Sequence, residues 1–309
     1  MRRIFIISLI IMVSVLVVFA GETWNGRTGA QIMKMNPAIR SLGLGGGYIS
    51  GIGGVESLTL NPAGLTHVER RMAAVGDTEL VEGIRILYGG YAQKYGIFYF
   101  GAEIKALYDT FDIVDELGAA AGSLSVYSLA PSFGVGMKVS PTFSFGGSAT
   151  VLLEDYGDVT QFMWALNGGI QMSFFHDVIR FGGAVRNVAL SQLSYYDGSE
   201  MPMPMMGNAG LSYVFKDVEL RDKIIITADI EIPYDRSWII SGGAEYSLAD
   251  WVKLRAAYRL NDDYDMIDNI SFGLELKETV KKVTGALQYA YVGYGDVIGT
   301  HRVSYAMYW

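Results

Sequence analysis

Apolar and polar residues alternate with a period of two along most of this chain. Over residues 301–309, Val303, Tyr305, Met307 and Trp309 interleave with Arg302, Ser304, Ala306 and Tyr308. That period places the two sets on opposite faces of a β-strand. The rhythm recurs upstream. Val252, Leu254, Ala256, Tyr258 and Leu260 interleave with Lys253, Arg255, Ala257 and Arg259; Ile226, Ala228, Ile230 and Ile232 with Thr227, Asp229 and Glu231. Ile270, Phe272, Leu274 and Leu276 interleave with Ser271, Gly273 and Glu275; Phe98, Phe100, Ala102, Ile104 and Ala106 with Tyr99, Gly101, Glu103 and Lys105. In every case the charges keep to one face. Fourteen strands are predicted, at 71–81, 83–94, 97–109, 123–139, 142–154, 160–175, 178–190, 204–215, 223–232, 237–247, 251–260, 269–277, 283–292 and 300–309. Short turns at 94–96, 140–142, 175–177 and 248–250 alternate with longer connections at 109–123, 190–204 and 261–268. The tight turn at 81–83 and the long connection at 215–223 break that trend.

Composition decides where the apolar faces go. The chain is 50% hydrophobic and 13% aromatic, with a mean hydropathy of +0.25. Yet only one long apolar run exists, Ile4 to Ala20. A helical membrane protein would show several such runs. A soluble sandwich would alternate similarly, around a core. A transmembrane barrel fits better, with lipid outside and a polar lumen inside; an Arg or Lys facing mid-membrane lipid would cost about 2–4 kcal/mol. The expected fold is an all-β transmembrane antiparallel barrel of fourteen strands, closed because hydrocarbon satisfies no strand edge. An even strand number puts both ends of the barrel on the periplasmic side, and the terminal Trp309 suits an interfacial girdle.

The run at 4–20, led by Arg2 and Arg3 and ending in Val18-Phe19-Ala20, reads as a cleaved signal peptide, with an uncleaved anchor as the alternative. The expected organisation is signal peptide 1–20, an N-terminal plug or hatch 21–69, and barrel 70–309. With no Cys, disulfides, thiol chemistry and lipidation of an N-terminal Cys are excluded. A net charge of −8 offers no footprint for nucleic acid. His67, His176 and His301 lie far apart, without metal-ligand spacing, and no nucleophile-elbow motif occurs. No cofactor, metal or enzymatic activity is expected.

Residues 22–69 do not alternate. They carry Gly43, Gly45, Gly46 and Gly47, then Asn61-Pro62-Ala63-Gly64-Leu65. The glycine spacing does not fit a dinucleotide fingerprint, and no strand–helix unit surrounds it. The stretch from Arg40 to Tyr48 followed by Leu60 to Leu65 resembles the N-terminal region of PorV/PorQ-like proteins. The NPAGL element is also similar to that of FadL-type transporters. Near the C-terminus, Ala244-Glu245-Tyr246, Leu254 to Arg259 and Thr300 to Ser304 look like the last strands of the same branch. The resemblance implies a fourteen-stranded barrel with a small hatch in its lumen. It also implies either passage of hydrophobic molecules, as in FadL-type members, or a secretion-linked role, as in PorV-like members.

Three further groups are candidates. Asp229, Glu231, Glu245, Lys253, Arg255, Arg259 and Glu275 would face the lumen. They can act as a selectivity filter or pair across strands and dock the plug. Met201, Met203 and Met205, beside Tyr195 and Tyr196, would make an apolar entry at the outer rim, or simply a loop leading into a strand. The acidic connections (Asp109, Asp112, Asp115, Glu116; Asp262, Asp263, Asp265, Asp268) lack a calcium-loop pattern and read as solvated charge. Three roles are expected: passage of small or hydrophobic solutes, docking of an envelope or secretion protein, or an open porin. The expected partners are outer-membrane lipid, a hydrophobic small molecule and an envelope or secretion protein.

Overall fold

The computed structural model describes residues 28–80, 84–114, 120–155, 157, 160–189, 193–194, 200–216, 223–260, 269–294 and 297–309. The expected signal peptide, the turn at 81–83, Tyr195, Tyr196, Asp115, Glu116 and the acidic run 262–268 lie outside these residues.

The strands are β1 (Arg71–Glu79), β2 (Arg85–Tyr95), β3 (Phe98–Val114), β4 (Ala120–Ser140), β5 (Phe143–Asp155), β6 (Thr160–Phe174), β7 (Ile179–Val188), β8 (Leu193–Ser194), β9 (Glu200–Met201), β10 (Met206–Lys216), β11 (Lys223–Pro233), β12 (Ile239–Leu248), β13 (Val252–Leu260), β14 (Ile270–Val280), β15 (Val283–Tyr294) and β16 (Val297–Tyr308). Fourteen of them close an antiparallel barrel in chain order, with β1 paired to β16 and β7 to β10. The closing seam runs from Met72↔Tyr308 to Thr78↔Arg302. Closure leaves no open sheet edge, as lipid requires.

Each predicted strand is present, and two connections differ from expectation. The expected loop at 109–123 is mostly strand. β3 and β4 continue their ladder through Thr110↔Ser125 to Val114↔Ala120, so the hairpin stands beyond its neighbours. Between β7 and β10 the chain forms the two-residue pair β8–β9. The short turns at 94–96, 140–142, 175–177 and 248–250, the longer β10–β11 connection and both ends of the barrel share one rim, the turn end; the other longer connections occupy the loop end.

The alternation divides wall from lumen as the sequence predicts. Leu254, Phe272, Leu276, Val303 and Tyr305 are exposed on the outside, while Arg255, Ser271, Glu275 and Arg302 are buried inside. Exposed aromatics gather near both rims, with Tyr95, Phe98 and Trp251 at the turn end and Tyr108 and Trp238 at the loop end. Trp309 lies 6.1 Å from Tyr91, ring centre to ring centre. Apolar flanks bounded by aromatic rings suit a bilayer, not water.

Residues 28–69 pack against the inward-facing side of this wall. They form short 3₁₀ turns at Gln31–Lys34, Val55–Ser57 and Pro62–His67 and one α-helical turn, α1 (Ile39–Gly43). Ala38, Ile39, Leu44, Tyr48, Ile49, Ile52, Leu58, Leu60 and Leu65 are all buried. The Asn61-Pro62 step starts the last turn: the Asn61 side chain accepts from Ala63 N–H, and Pro62 occupies a position needing no N–H. Wall glycines make room for this backbone. A Cβ on Gly146 would lie 2.5 Å from Pro62, and one on Gly182 would lie 2.3 Å from the Ile49 carbonyl.

Candidate functional site

The lumen holds the buried polar chemistry, organised around the N-terminal segment. Because this segment lacks regular secondary structure, its carbonyls need partners from elsewhere. Wall side chains supply them. Ser148 donates to Leu58 O at 2.7 Å, Gln171 to Ile49 O and Ile52 O at 3.1 and 2.8 Å, and Arg186 to Thr59 O at 2.6 Å. Lys105 donates to Ile32 O and Met35 O, both at 3.1 Å. In the other direction, Ile49 N–H donates to Asp229 Oδ1 at 2.9 Å, and Asn61 donates to Ile170 O at 3.0 Å.

On the turn side of α1 lies an ion-pair lattice. Arg40 of α1 grips Glu245 on β12 through two bonds, of 2.8 and 2.6 Å. Arg255 on β13 donates to the same carboxylate at 2.7 Å and also pairs with Glu275 on β14. Lys253 reaches Glu275 at 2.8 Å. Register explains the wall part: Glu245 faces Arg255 across β12–β13, and Lys253 faces Glu275 across β13–β14. Of the seven lumen charges predicted from sequence, Glu245, Lys253, Arg255 and Glu275 come together here. The other three stand apart. Asp229 accepts from Ile49 N–H and the Thr227 hydroxyl; Glu231 pairs with Arg236 at 3.2 Å and Arg186 at 3.6 Å; Arg259 donates to Gly293 O at 2.8 Å.

The predicted plug residues are also placed. Gly45 and Gly46 take positive φ in the turn leaving α1. A Cβ on Gly43 would come 3.0 Å from Gly273 Cα, and one on Gly47 would come 2.7 Å from Asp229. Gly64 sits under the Ile52 carbonyl, where a Cβ would lie 2.3 Å away.

At the loop end, an apolar layer covers the segment. Met203 is 2% exposed and packs with Ala30, Ile32, Met33, Leu152, Met163 and Leu193. Pro202 O accepts from Gly29 N–H at 3.3 Å, and Pro204 O from the Asn187 amide at 3.1 Å. The apolar entry expected from Met201, Met203 and Met205 is therefore folded inward: Met203 is buried, and Met201 and Met205 are half-buried. Pro202 and Pro204 carry no N–H, so this stretch extends no sheet and lies down on the apolar segment instead. The β11–β12 connection adds a second tie, with Asp235 accepting from Thr28 and Lys34. Burial alone would raise the Asp235 carboxyl; these two donors hold it below the usual carboxylate range.

Cavities flank the segment on either side. One of about 530 Å³ at the loop end is lined by Lys34, Leu42, Gly46, Arg186, Glu231 and Arg259, among others. One of about 770 Å³ at the turn end is lined by Arg40, His67, Lys138, Gln171 and Arg180. Within the segment, Glu56 is 3% exposed and its Oε1 has no hydrogen-bond partner. Burial pushes its carboxyl up to about 8, and the negative charges of Glu275 and Glu103 add to this.

Sequence reasoning missed Arg40, Arg186, Lys105 and Gln171 as the residues that hold the segment. Lys105 and Gln171 stand at inward positions of predicted strands, and that was their available signal. Arg40 carried none beyond its place in the resemblance.

No protein-family model matches the sequence, and no curated protein matches it. Among solved structures, the chain is similar to the toluene transporter TodX of Pseudomonas putida, at 14% identity and a TM-score of 0.59 over 86% of this chain and 96% of that one. A TodX monoaromatic hydrocarbon channel mutant aligns at 13% identity and a TM-score of 0.59, covering 87% and 97%. A FadL homologue from Pseudomonas aeruginosa aligns at 12% identity and a TM-score of 0.52, covering 87% and 97%. At these identities the likeness establishes the fold alone, the closed barrel that these proteins share with this chain.

Proposed function

We infer that this chain sits in the outer membrane and passes small or hydrophobic solutes, with residues 28–69 acting as a hatch. One observation carries the reading. The segment lies between cavities at the two ends of the lumen, and its carbonyls take side-chain hydrogen bonds from the wall. The bonds from Ser148 and Gln171 exchange with water at a net cost of about 0.5–1.5 kcal/mol each, and those from Lys105 and Arg186 at about 1.5–3 kcal/mol; a shift of the segment that trades them for water is the movement the hatch reading requires. The fold shared with a toluene transporter and a monoaromatic hydrocarbon channel supports hydrophobic solutes as one class. A PorV-like docking role is the second reading, favoured by the buried Arg40–Glu245 pair, which anchors the segment firmly to the wall.

The test is reconstitution of the mature protein in planar bilayers and in liposomes loaded with a toluene-sensitive dye. Solute entry above protein-free vesicles, with brief or no steady conductance, is the expected result. Steady large openings would replace the hatch with an open porin. A folded barrel silent in both assays would leave the docking role.

A further inference from the structure

The turn-end cavity gathers positive charge from several sides of the lumen. Five cationic side chains line it: Arg40, Lys94, Lys138, Arg180 and Lys223, from α1, β2, β4, β7 and β11. Its carboxylates are Glu69 and Asp177. A smaller cavity of about 410 Å³ adjoins it, sharing Arg40 and Lys223 and adding Lys253, Lys277, Glu245 and Asp250. Three carboxylates at this end are each shared by two or more cations. Asp177 takes Arg180 and, at 3.9 Å, Lys216. Glu245 takes Arg40 and Arg255, and Glu275 takes Arg255, Lys253 and Lys277. Asp217, Glu219 and Asp222, in the β10–β11 connection, lie outside the described residues.

Lys223 stands outside these pairs. It is half-buried, and among the described residues its ammonium has neither a hydrogen bond nor an ion pair. Its direct cross-strand neighbours are Lys216 on β10 and Ser247 on β12, so the wall answers it with a like charge and a hydroxyl. Like charges directly opposite each other are destabilising. Two more cations converge on the same cavity. Arg40 and Arg180 both donate to the hydroxyl of Tyr48, at 3.4 and 3.0 Å, a buried neutral acceptor that offsets neither charge. An anion beside Lys223 relieves the repulsion among all of them. The guanidinium groups are already engaged, Arg40 with Glu245 and Arg180 with Asp177, so the open donor is an ammonium. That group is a compact point charge suited to phosphate, whereas bidentate recognition of a carboxylate belongs to arginine. The volume of about 770 Å³ falls in the range of small-molecule sites and leaves room for more than a phosphate group.

We propose that the turn-end cavity binds the phosphate group of a small water-soluble ester, with Lys223 as its donor and Arg40 and Arg180 supplying the surrounding positive field. The phosphate takes the place of the carboxylate that Lys223 lacks. The site rests on the cavity and its charges and does not depend on whether anything crosses the barrel.

Calorimetric titration of the full mature chain, folded in uncharged detergent, tests it with glucose 6-phosphate as the probe. Glucose, glutarate and short-chain phosphatidic acid are the comparators: the first lacks the phosphate, the second carries two carboxylates, and the third presents the phosphate on a lipid. Saturable binding of glucose 6-phosphate, weakening as salt is added, is expected, with glutarate weaker and glucose silent. Lys223→Gln should weaken it about tenfold. That change removes a like charge facing Lys216 and so spares the wall; heat-modifiable migration confirms folding. Arg85→Gln removes an equal charge at the loop end, where Arg85 is 61% exposed, and should bind as the wild type does. No binding of glucose 6-phosphate, equal binding by wild type and Lys223→Gln, an equal loss in Arg85→Gln, or preference for glutarate or phosphatidic acid would each overturn the proposal. A site already filled by carboxylates of this chain would give the first of these outcomes.

Discussion

At the scale of residues, burial decides what a charge is worth. The side chains of Arg255 and Glu245 are 0% and 1% exposed, and each answers a charge on a neighbouring strand. Removing one partner strands the other without water, so Arg255→Leu should destabilise the folded protein by about 3–5 kcal/mol in urea unfolding from lipid vesicles. The Arg85–Asp77 pair on β2 and β1 is the contrast, with Arg85 61% exposed; Arg85→Ala should cost no more than about 1 kcal/mol in the same assay. Glu56 supplies a pH effect. Its carboxyl titrates near 8 in place against an ordinary 4.5, so the folded state binds a proton that the unfolded chain has released. Stability then falls as pH rises from about 4.5 to 8 and levels off above. Glu56→Gln should remove this slope and leave the protein more stable at pH 8, read from unfolding midpoints across that range.

At the scale of elements, the wall strands are local objects and the N-terminal segment is not. Alternation marks a strand, because every second side chain meets lipid; together with the fourteen strands that the resemblance implies, it made the strand positions legible before any pairing was known. The extension of β3 past 109 and of β4 before 123 was not legible, since the polar Thr110 and Asp112 read as loop residues. The segment keeps its shape through contacts with the wall, and its seat is made by missing Cβ atoms. Gly146→Val and Gly182→Val should therefore unseat it while leaving the barrel folded. The expected signs are new tryptic cleavage after Lys34 or Arg40 and larger conductance in bilayers. Unchanged cleavage in both variants would show that the seat tolerates the added carbon.

At the scale of the whole molecule, the barrel is a lipid-facing cylinder around a filled, charged interior. The two surfaces should answer the same substitution differently from soluble proteins. Phe272 is exposed on the outside of β14, and Phe272→Arg would set a charge against hydrocarbon. A loss of about 2–4 kcal/mol is expected at mid-membrane depth, measured by unfolding from vesicles, with little loss in detergent, where the surrounding shell adapts. The filled interior also bears on passage: residues 28–69 lie between the cavities at its two ends, and the proposed hatch reading depends on their movement.

The sequence by itself determined the strand count, which face of each strand turns inward, the closed barrel, and the distinct character of the first seventy or so residues. These follow from period, composition and turn chemistry, all read over a few neighbouring positions. It also grouped Asp229, Glu231, Glu245, Lys253, Arg255, Arg259 and Glu275 as lumen charges, either a filter or a set that pairs across strands; the structure brings Glu245, Lys253, Arg255 and Glu275 together. Only the tertiary structure decided that Arg40 completes that lattice from 205 residues away. The same holds for Met203, which folds inward over Ile32 and Met33, and for the five cations from separate elements that converge on one cavity. Such contacts depend on how an irregular segment threads a closed barrel. No local pattern encodes that path, because it is set by which wall positions leave room and which carbonyls remain to be satisfied.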